Sequence, residues 1–252
     1  MATEAELDLR RDRGQDEALL RAIDENLAAF GRFIAQSSIS VAGARAGRTD
    51  ATDVVAIPPP ATIFPVGAGF GIWTRSHADA ALEATLPGAG FTRAMDLPVM
   101  VLSARPAGGP PLGVGIEIRR VVDASDVARL RALDLDGLAG TAQERAAVDA
   151  LLGSGGGLLV PEVGVFTAFV DGIPAALALS FTHGDIVRIV SVGTAPAFRR
   201  RGLGAAVTGA AVSAGFDVGA RYAVLESSAM GEPVYRSMGF REITRYRVWL
   251  AG

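Results

Sequence analysis

The stretch Val190-Ser-Val-Gly-Thr-Ala-Pro-Ala-Phe-Arg-Arg-Arg-Gly-Leu-Gly204 carries the strongest chemical signal in the chain. Its β-branched start, glycine turn and apolar continuation predict a strand feeding the first turn of a helix. The leading N–H groups of a helix lack intrahelical acceptors and sit at the positive end of its dipole, so such a turn suits an anion. Gly202 and Gly204 let backbone approach a phosphate without an intervening Cβ, and Arg199, Arg200 and Arg201 add charge beside it.

Composition removes several chemistries. There is no Cys, which excludes disulfides, thiolate metal sites and Cys nucleophiles. All 24 basic residues are Arg and none is Lys, which excludes Schiff-base lysines and the lysine-dependent phosphate loop. Asn26 is the only Asn, and a GC-rich genome that avoids AA-starting codons accounts for both scarcities. Two histidines, His77 and His183, do not suggest a zinc site, and no metal is expected. His183 reads as an exposed hairpin-turn residue and His77 as part of a helix N-terminus. A net charge of −3 without an aromatic, basic strand set argues against nucleic acid. No apolar run reaches membrane-spanning length and the N-terminus lacks the apolar core of a signal peptide, so a cytoplasmic protein with no membrane partner is expected.

The elements that must position these groups read as follows. Leu19, Leu20, Ile23, Leu27, Phe30 and Ile34 predict an amphipathic helix over 16–35. Short strands are expected at 54–57, 62–66, 69–73 and 97–102, with a helix over 78–86. The Pro- and Gly-rich run 106–113 reads as a linker between units 1–105 and 114–252. The second unit predicts a strand at 116–122, helices at 125–133 and 142–152, and three hairpin-linked strands at 163–170, 175–181 and 186–192. A helix at 202–214, a strand at 222–226, a helix at 232–238 and a closing strand at 244–250 follow. The fold class is α/β, a mixed sheet with helices on both faces. Val248 and Trp249, taken as apolar residues on an edge strand, offer a surface for a homodimer.

Arg199-Arg200-Arg201-Gly202-Leu203-Gly204, together with Tyr235-Arg-Ser-Met-Gly239-Phe240, resembles the paired signatures of the GNAT superfamily of acyl-CoA-dependent N-acyltransferases over about 116–250. By that resemblance Val190 and Val192 hydrogen-bond a pantetheine arm through main chain. Backbone N–H groups of Arg200, Arg201, Gly202, Leu203, Gly204 and Ala205 hold the pyrophosphate of acetyl-CoA, and Tyr235 protonates the departing thiolate. Some family members carry a carboxylate where this sequence has Arg188, which cannot act as a base. Glu226 is the candidate proton acceptor, with a relayed water as the alternative.

Leu82–Leu86, Gly90-Phe91 and Leu97–Leu102 parallel Val234–Met238, Gly239-Phe240 and Thr244–Leu250. The first unit therefore resembles a degenerate acyltransferase half of tandem members, expected to shape the acceptor pocket and bind no acyl-CoA. The expected acceptor is a small-molecule primary amine, attacked directly in a ternary complex, since no Cys or recognisable Ser-His pattern is available to hold the acyl group. A non-catalytic acyl-CoA sensor, or a transferase using a different acyl donor, is the alternative. Dinucleotide oxidoreduction fits worse, because Val207 stands at the third glycine position and 194–201 separates strand from glycine.

Overall fold

The computed structural model describes residues 4–37, 62–66, 69–106, 112–130 and 158–251. In chain order the elements are α1 (Glu4–Ser37), β1 (Thr62–Val66), β2 (Gly69–Arg75), α2 (Ala80–Thr85), β3 (Phe91–Leu102), β4 (Ile116–Arg120), α3 (Ala124–Leu130) and β5 (Val163–Val170). They continue as β6 (Ile173–His183), β7 (Ile186–Thr194), α4 (Leu203–Asp217), β8 (Tyr222–Glu226), α5 (Glu232–Ser237) and β9 (Arg241–Ala251). The predicted strand 54–57 and helix 142–152 lie outside the described residues. So does most of the expected linker.

Asp171 and Gly172, with φ of 51° and 80°, make the tight left-handed turn that joins β5 to β6. Both strands are buried along nearly their whole length because the sheet is covered twice. Ala176 and Ala178 face α4, whereas Leu177 and Leu179 face Ala29, Val127 and Leu130 on the opposite side. Small side chains bring α4 close to the sheet: a Cβ on Gly215 would lie 2.4 Å from Val187 Cβ. On the other face, Leu19, Ile23 and Leu27 of α1 pack on Val99, Val101, Ile186, Val224 and Tyr246. The helix begins well before the expected residue 16, through an Arg- and acid-rich segment with no apolar stripe to signal it. Asp123 caps α3, its Oδ1 accepting the Ser125 and Asp126 N–H groups at 2.8 and 2.9 Å.

The nine strands form one mixed sheet in the order β1-β2-β9-β3-β8-β7-β6-β5-β4. Strand β3, from the first half of the sequence, sits between β8 and β9, antiparallel to both. This corrects the edge-strand reading of Val248 and Trp249: β9 lies between β2 and β3, and the two residues are 0% and 8% exposed. They offer no surface for a second copy.

The β3–β9 pair has an internal two-fold. Leu97 faces Tyr246, while Met95 faces Val248 and Val99 faces Thr244. Placing Phe91 on Phe240 places Leu97 on Tyr246 and exchanges the other two pairs. Each strand follows a short helix and a left-handed glycine, Gly90 at φ 86° and Gly239 at φ 93°. The Phe91 N–H bonds the Leu86 carbonyl at 3.0 Å, and the Phe240 N–H bonds the Tyr235 carbonyl at 3.0 Å. The two units β2-α2-β3 and β8-α5-β9 thus share one local design and exchange strands, since β2 pairs with β9 and β8 with β3.

Because β3 fills a central slot, a fragment starting at Leu112 leaves β8 and β9 without their common neighbour. Such a fragment is expected to show no cooperative thermal transition by circular dichroism. The full chain should melt in a single transition, and a cooperatively folding fragment would contradict this dependence.

Candidate active site

Strand β7 changes register against β6 between Leu177 and Leu179, where Ser191 takes φ 52°. Its parallel pairing with β8 runs from Ile186↔Tyr222 to Ile189↔Leu225 and stops there. The main chain of residues 190–194 consequently has no ladder partner on its β8 side, and an extended chain can be added along it. Val190 and Val192, both half-buried, lie on this stretch.

The chain then turns through Pro196–Phe198 into α4. The Ala195 N–H is anchored on the Ala175 carbonyl at 2.8 Å, and Arg199 Nε donates to the Thr194 carbonyl at 3.2 Å. Arg200 and Gly202 adopt φ of 64° and 74°, a conformation that for Arg200 costs about 1 kcal/mol. Gly202 is the N-cap of α4 and no side chain caps the helix. The first intrahelical bond runs from the Ala206 N–H to the Gly202 carbonyl at 3.0 Å, leaving the N–H groups of Leu203, Gly204 and Ala205 without intrahelical acceptors. Arg199, Arg200 and Arg201 are exposed around this end, with the Arg201 guanidinium 5.9 Å from the Phe198 ring centroid. The result is an electropositive helix start continuous with the free flank of β7.

Tyr235 sits on α5 with its ring against Phe240, centroids 5.9 Å apart in an edge-on arrangement. A side chain at Gly231 would come within 2.9 Å of Tyr235 Cε2, so the glycine makes room for the ring. Burial pushes the phenol above its usual pKa, opposed only in part by the Thr208 hydroxyl, and Tyr235 is a protonated donor at neutral pH. Ser228 Oγ accepts the Gly231 N–H at 3.2 Å at the start of this turn.

Glu226 ends β8 on the α1 side of the sheet. Its Oε1 is ion-paired with Arg188 Nη1, and its side chain is 11% exposed. Arg188 is completely buried. Burial disfavours its charge, but the facing Glu226 carboxylate and Tyr246 phenol outweigh that and raise its pKa above the ordinary value. Arg188 Nε donates to Asn26 Oδ1 at 2.9 Å and Nη2 to the Ile23 carbonyl at 3.0 Å. Tyr235 packs with the α4-side core, so the two proton-moving candidates flank the sheet from opposite faces near the point where β7 parts from β8.

Neither histidine joins this arrangement. His183 is exposed and stacks on Phe181, and His77 links Thr244 Oγ1 at 2.8 Å to Asp24 Oδ2 at 3.3 Å. Sequence reasoning missed the contribution of α1, whose only signal was the single Asn. Among the described residues no group of acidic or histidine side chains is arranged to hold a metal, and no helix is long and apolar enough to cross a membrane.

Residues 136–240 match the model of the acetyltransferase (GNAT) family. The chain is thus similar to GNAT acetyltransferases over that segment. Its fold is similar to a GCN5-related N-acetyltransferase from Kribbella flavida, at 22% identity and TM-score 0.55, over 71% of this chain and 66% of that one. A GCN5-related N-acetyltransferase from Sphaerobacter thermophilus gives 20% identity and TM-score 0.51, over 71% and 58%. A tandem GNAT protein from the clavulanic acid biosynthesis pathway gives 14% identity and TM-score 0.53, over 75% and 62%. The match thus spans between 58% and 66% of these relatives' own length. No curated protein matches the chain. The turn at Arg199–Gly204 and Tyr235 both fall within the residues matched by the family model, whereas α1 and β3 precede them.

Of the three tyrosines, Tyr235 and Tyr246 have phenols raised by burial, Tyr246 well above the ordinary value. Ultraviolet titration of the folded protein should therefore find both less than half ionised at about pH 10, where a free phenol is half ionised. The unfolded chain ionises first, so the stability they contribute is present below about pH 10 and is lost as pH rises through their folded values. Half-ionisation of Tyr235 and Tyr246 at or below about pH 10, before unfolding, would contradict this.

Proposed function

We propose that the protein transfers an acetyl group from acetyl-CoA to the primary amine of a small molecule, by direct attack in a ternary complex. The observation that carries this reading is the unpaired flank of residues 190–194 running without interruption into the open N–H groups of Leu203, Gly204 and Ala205. That geometry suits a ligand with an extended amide-bearing arm at one end and a pyrophosphate at the other. Val190 and Val192 offer main chain to the arm. Backbone N–H groups from Arg200 to Ala205 receive the pyrophosphate, and Arg199, Arg200 and Arg201 screen its charge.

The thioester carbonyl then lies where β7 leaves β8. The amine nitrogen attacks the carbonyl carbon, the carbon–sulfur bond breaks, and the thiolate takes the Tyr235 proton. The proton released by the new amide nitrogen goes to Glu226, directly or through a water, and Tyr235 is reprotonated from solvent. Most of the rate enhancement comes from holding two substrates in line, with backbone donors stabilising the developing oxyanion. In the unit related by the internal two-fold, Leu86 stands at the position of Tyr235, and Trp73, opposite Val248, at that of Glu226, opposite Val99. That unit has no proton donor or acceptor at these two places, in keeping with one acyl-CoA site per chain.

Calorimetry with acetyl-CoA should give one site per chain. Gly202→Ala, which forces a side chain into φ 74°, is expected to weaken binding about 10-fold. With acetyl-CoA and a panel of small primary amines, Tyr235→Phe is expected to lower kcat about 100-fold while KM for acetyl-CoA stays within about two-fold. Unchanged kcat in Tyr235→Phe would remove the acid role. Tight acetyl-CoA binding without turnover of any amine would replace the enzyme reading with that of a sensor.

A further inference from the structure

Asn26 is the one asparagine in the chain, and it is fully buried. Its environment fixes the orientation of the amide. Oδ1 accepts from Arg188 Nε at 2.9 Å, while Nδ2 donates to the Ile186 carbonyl at 3.1 Å and the His183 carbonyl at 3.3 Å. An aspartate could not donate to the two carbonyls, and a serine would not reach all three groups.

Arg188 is a planar group with its donors in a fixed fork. Two of them are held by α1: Nε by Asn26 and Nη2 by the Ile23 carbonyl at 3.0 Å. Fixing two points of a planar guanidinium fixes the third, and that third donor, Nη1, holds Glu226 Oε1. Among the described residues Glu226 Oε2 has no hydrogen-bond partner. The carboxylate is therefore tethered by one oxygen and presents the other.

We propose that Asn26 is a positioning residue for acyl transfer: through Arg188 it fixes the Glu226 carboxylate. Helix α1, which lies outside the residues matched by the family model, thereby belongs to the reacting apparatus. The inference rests on the reading of Glu226 as proton acceptor. Asn26 touches neither substrate nor reacting atoms. Its effect travels entirely through a buried cation whose orientation it sets.

The test is a double-mutant cycle of Asn26→Leu and Glu226→Gln, using acetyl-CoA and the amine turned over fastest in the panel, with thermal melts confirming that each variant is folded. Asn26→Leu is expected to lower kcat about 10-fold with KM and calorimetric Kd for acetyl-CoA within about two-fold, and Asn26→Gln to recover part of the loss. In the Glu226→Gln background, Asn26→Leu should lower kcat no further, because the residue through which it acts is gone. Equal, additive losses in both backgrounds would overturn the proposal, as would wild-type kcat in Asn26→Leu. Should either variant fail to fold, Asn26→Ser and Glu226→Ser, which also removes the carboxylate, complete the same cycle. Wild-type kcat in Glu226→Gln removes the reading of Glu226 itself and the positioning role with it, whereas a crippled Glu226→Gln with additive Asn26→Leu removes only the latter.

Discussion

A guanidinium with no exposed surface sits at the centre of this molecule, and much of the architecture follows from satisfying it. Arg188 lies on β7, under α1 and beside β8, in a place where an uncompensated charge would be prohibitive. Glu226 neutralises it, Asn26 and the Ile23 carbonyl take two further N–H groups, and Tyr246, bonded through its hydroxyl to Asp24 at 3.0 Å, adds a polar neighbour. Removing one partner of such a buried pair typically costs about 3–5 kcal/mol, because the other charge is left stranded. Lysine could not substitute, since a point ammonium cannot aim three donors in one plane at three separate acceptors. The Arg-only composition, whatever its genomic origin, supplies the one cation that fits. The same constraint seats α1: Ile23 and Asn26 must face the sheet, which puts Leu19 and Leu27 on the apolar surface of β3, β8 and β9.

Strand β3 is the second constraint, and it makes the two halves of the chain interdependent. In β8-α5-β9 the strand that closes the unit does not pair with the strand that opens it, because β3 lies between them. The partner unit has the matching gap, filled by β9. Exchange of this kind buries four apolar β3 residues, Val99, Met100, Val101 and Leu102, all at or below 7% exposure. The duplicated design keeps its turn geometry while its chemistry differs. A left-handed glycine and the same hydrogen bond, from the residue after it to the carbonyl five residues back, appear in both, yet a leucine stands where the other has a tyrosine. Backbone requirements hold the turn in both copies, whereas only one copy faces the open flank of β7.

Legibility from sequence follows this division between local and long-range physics. The hairpin at Asp171-Gly172, the strand at Tyr222–Glu226 and the helix start at Gly202 were legible because each rests on adjacent residues. The turn that leads into that helix start was legible for the same reason. The place of β9 was not: Val248 and Trp249 show an apolar run, and a run of that kind is equally compatible with an edge strand and with a strand covered on both flanks. Helix α1 was underestimated at its start because an alternation of acids and arginines has helix propensity but no periodic signal. Arg188 was noticed as a basic residue where the resemblance suggested an acid. Nothing local revealed that it is buried, because its partners at Ile23, Asn26 and Glu226 are distant in sequence.

The identity of residue 26 shows how composition and structure inform each other. A chain with one asparagine and no lysine is under pressure that replaces both wherever a substitute serves. At an exposed site aspartate, serine or arginine serves. At position 26 the side chain must accept from a guanidinium on one side and donate to two carbonyls on the other, at full burial. Glutamine has the same groups with an extra methylene, which an interior packed this closely does not absorb without displacement. Histidine could present one donor and one acceptor but not two donors beside an acceptor. Asparagine is what the geometry leaves, so the rarest polar residue of the chain stands where hydrogen-bonding demand is most specific.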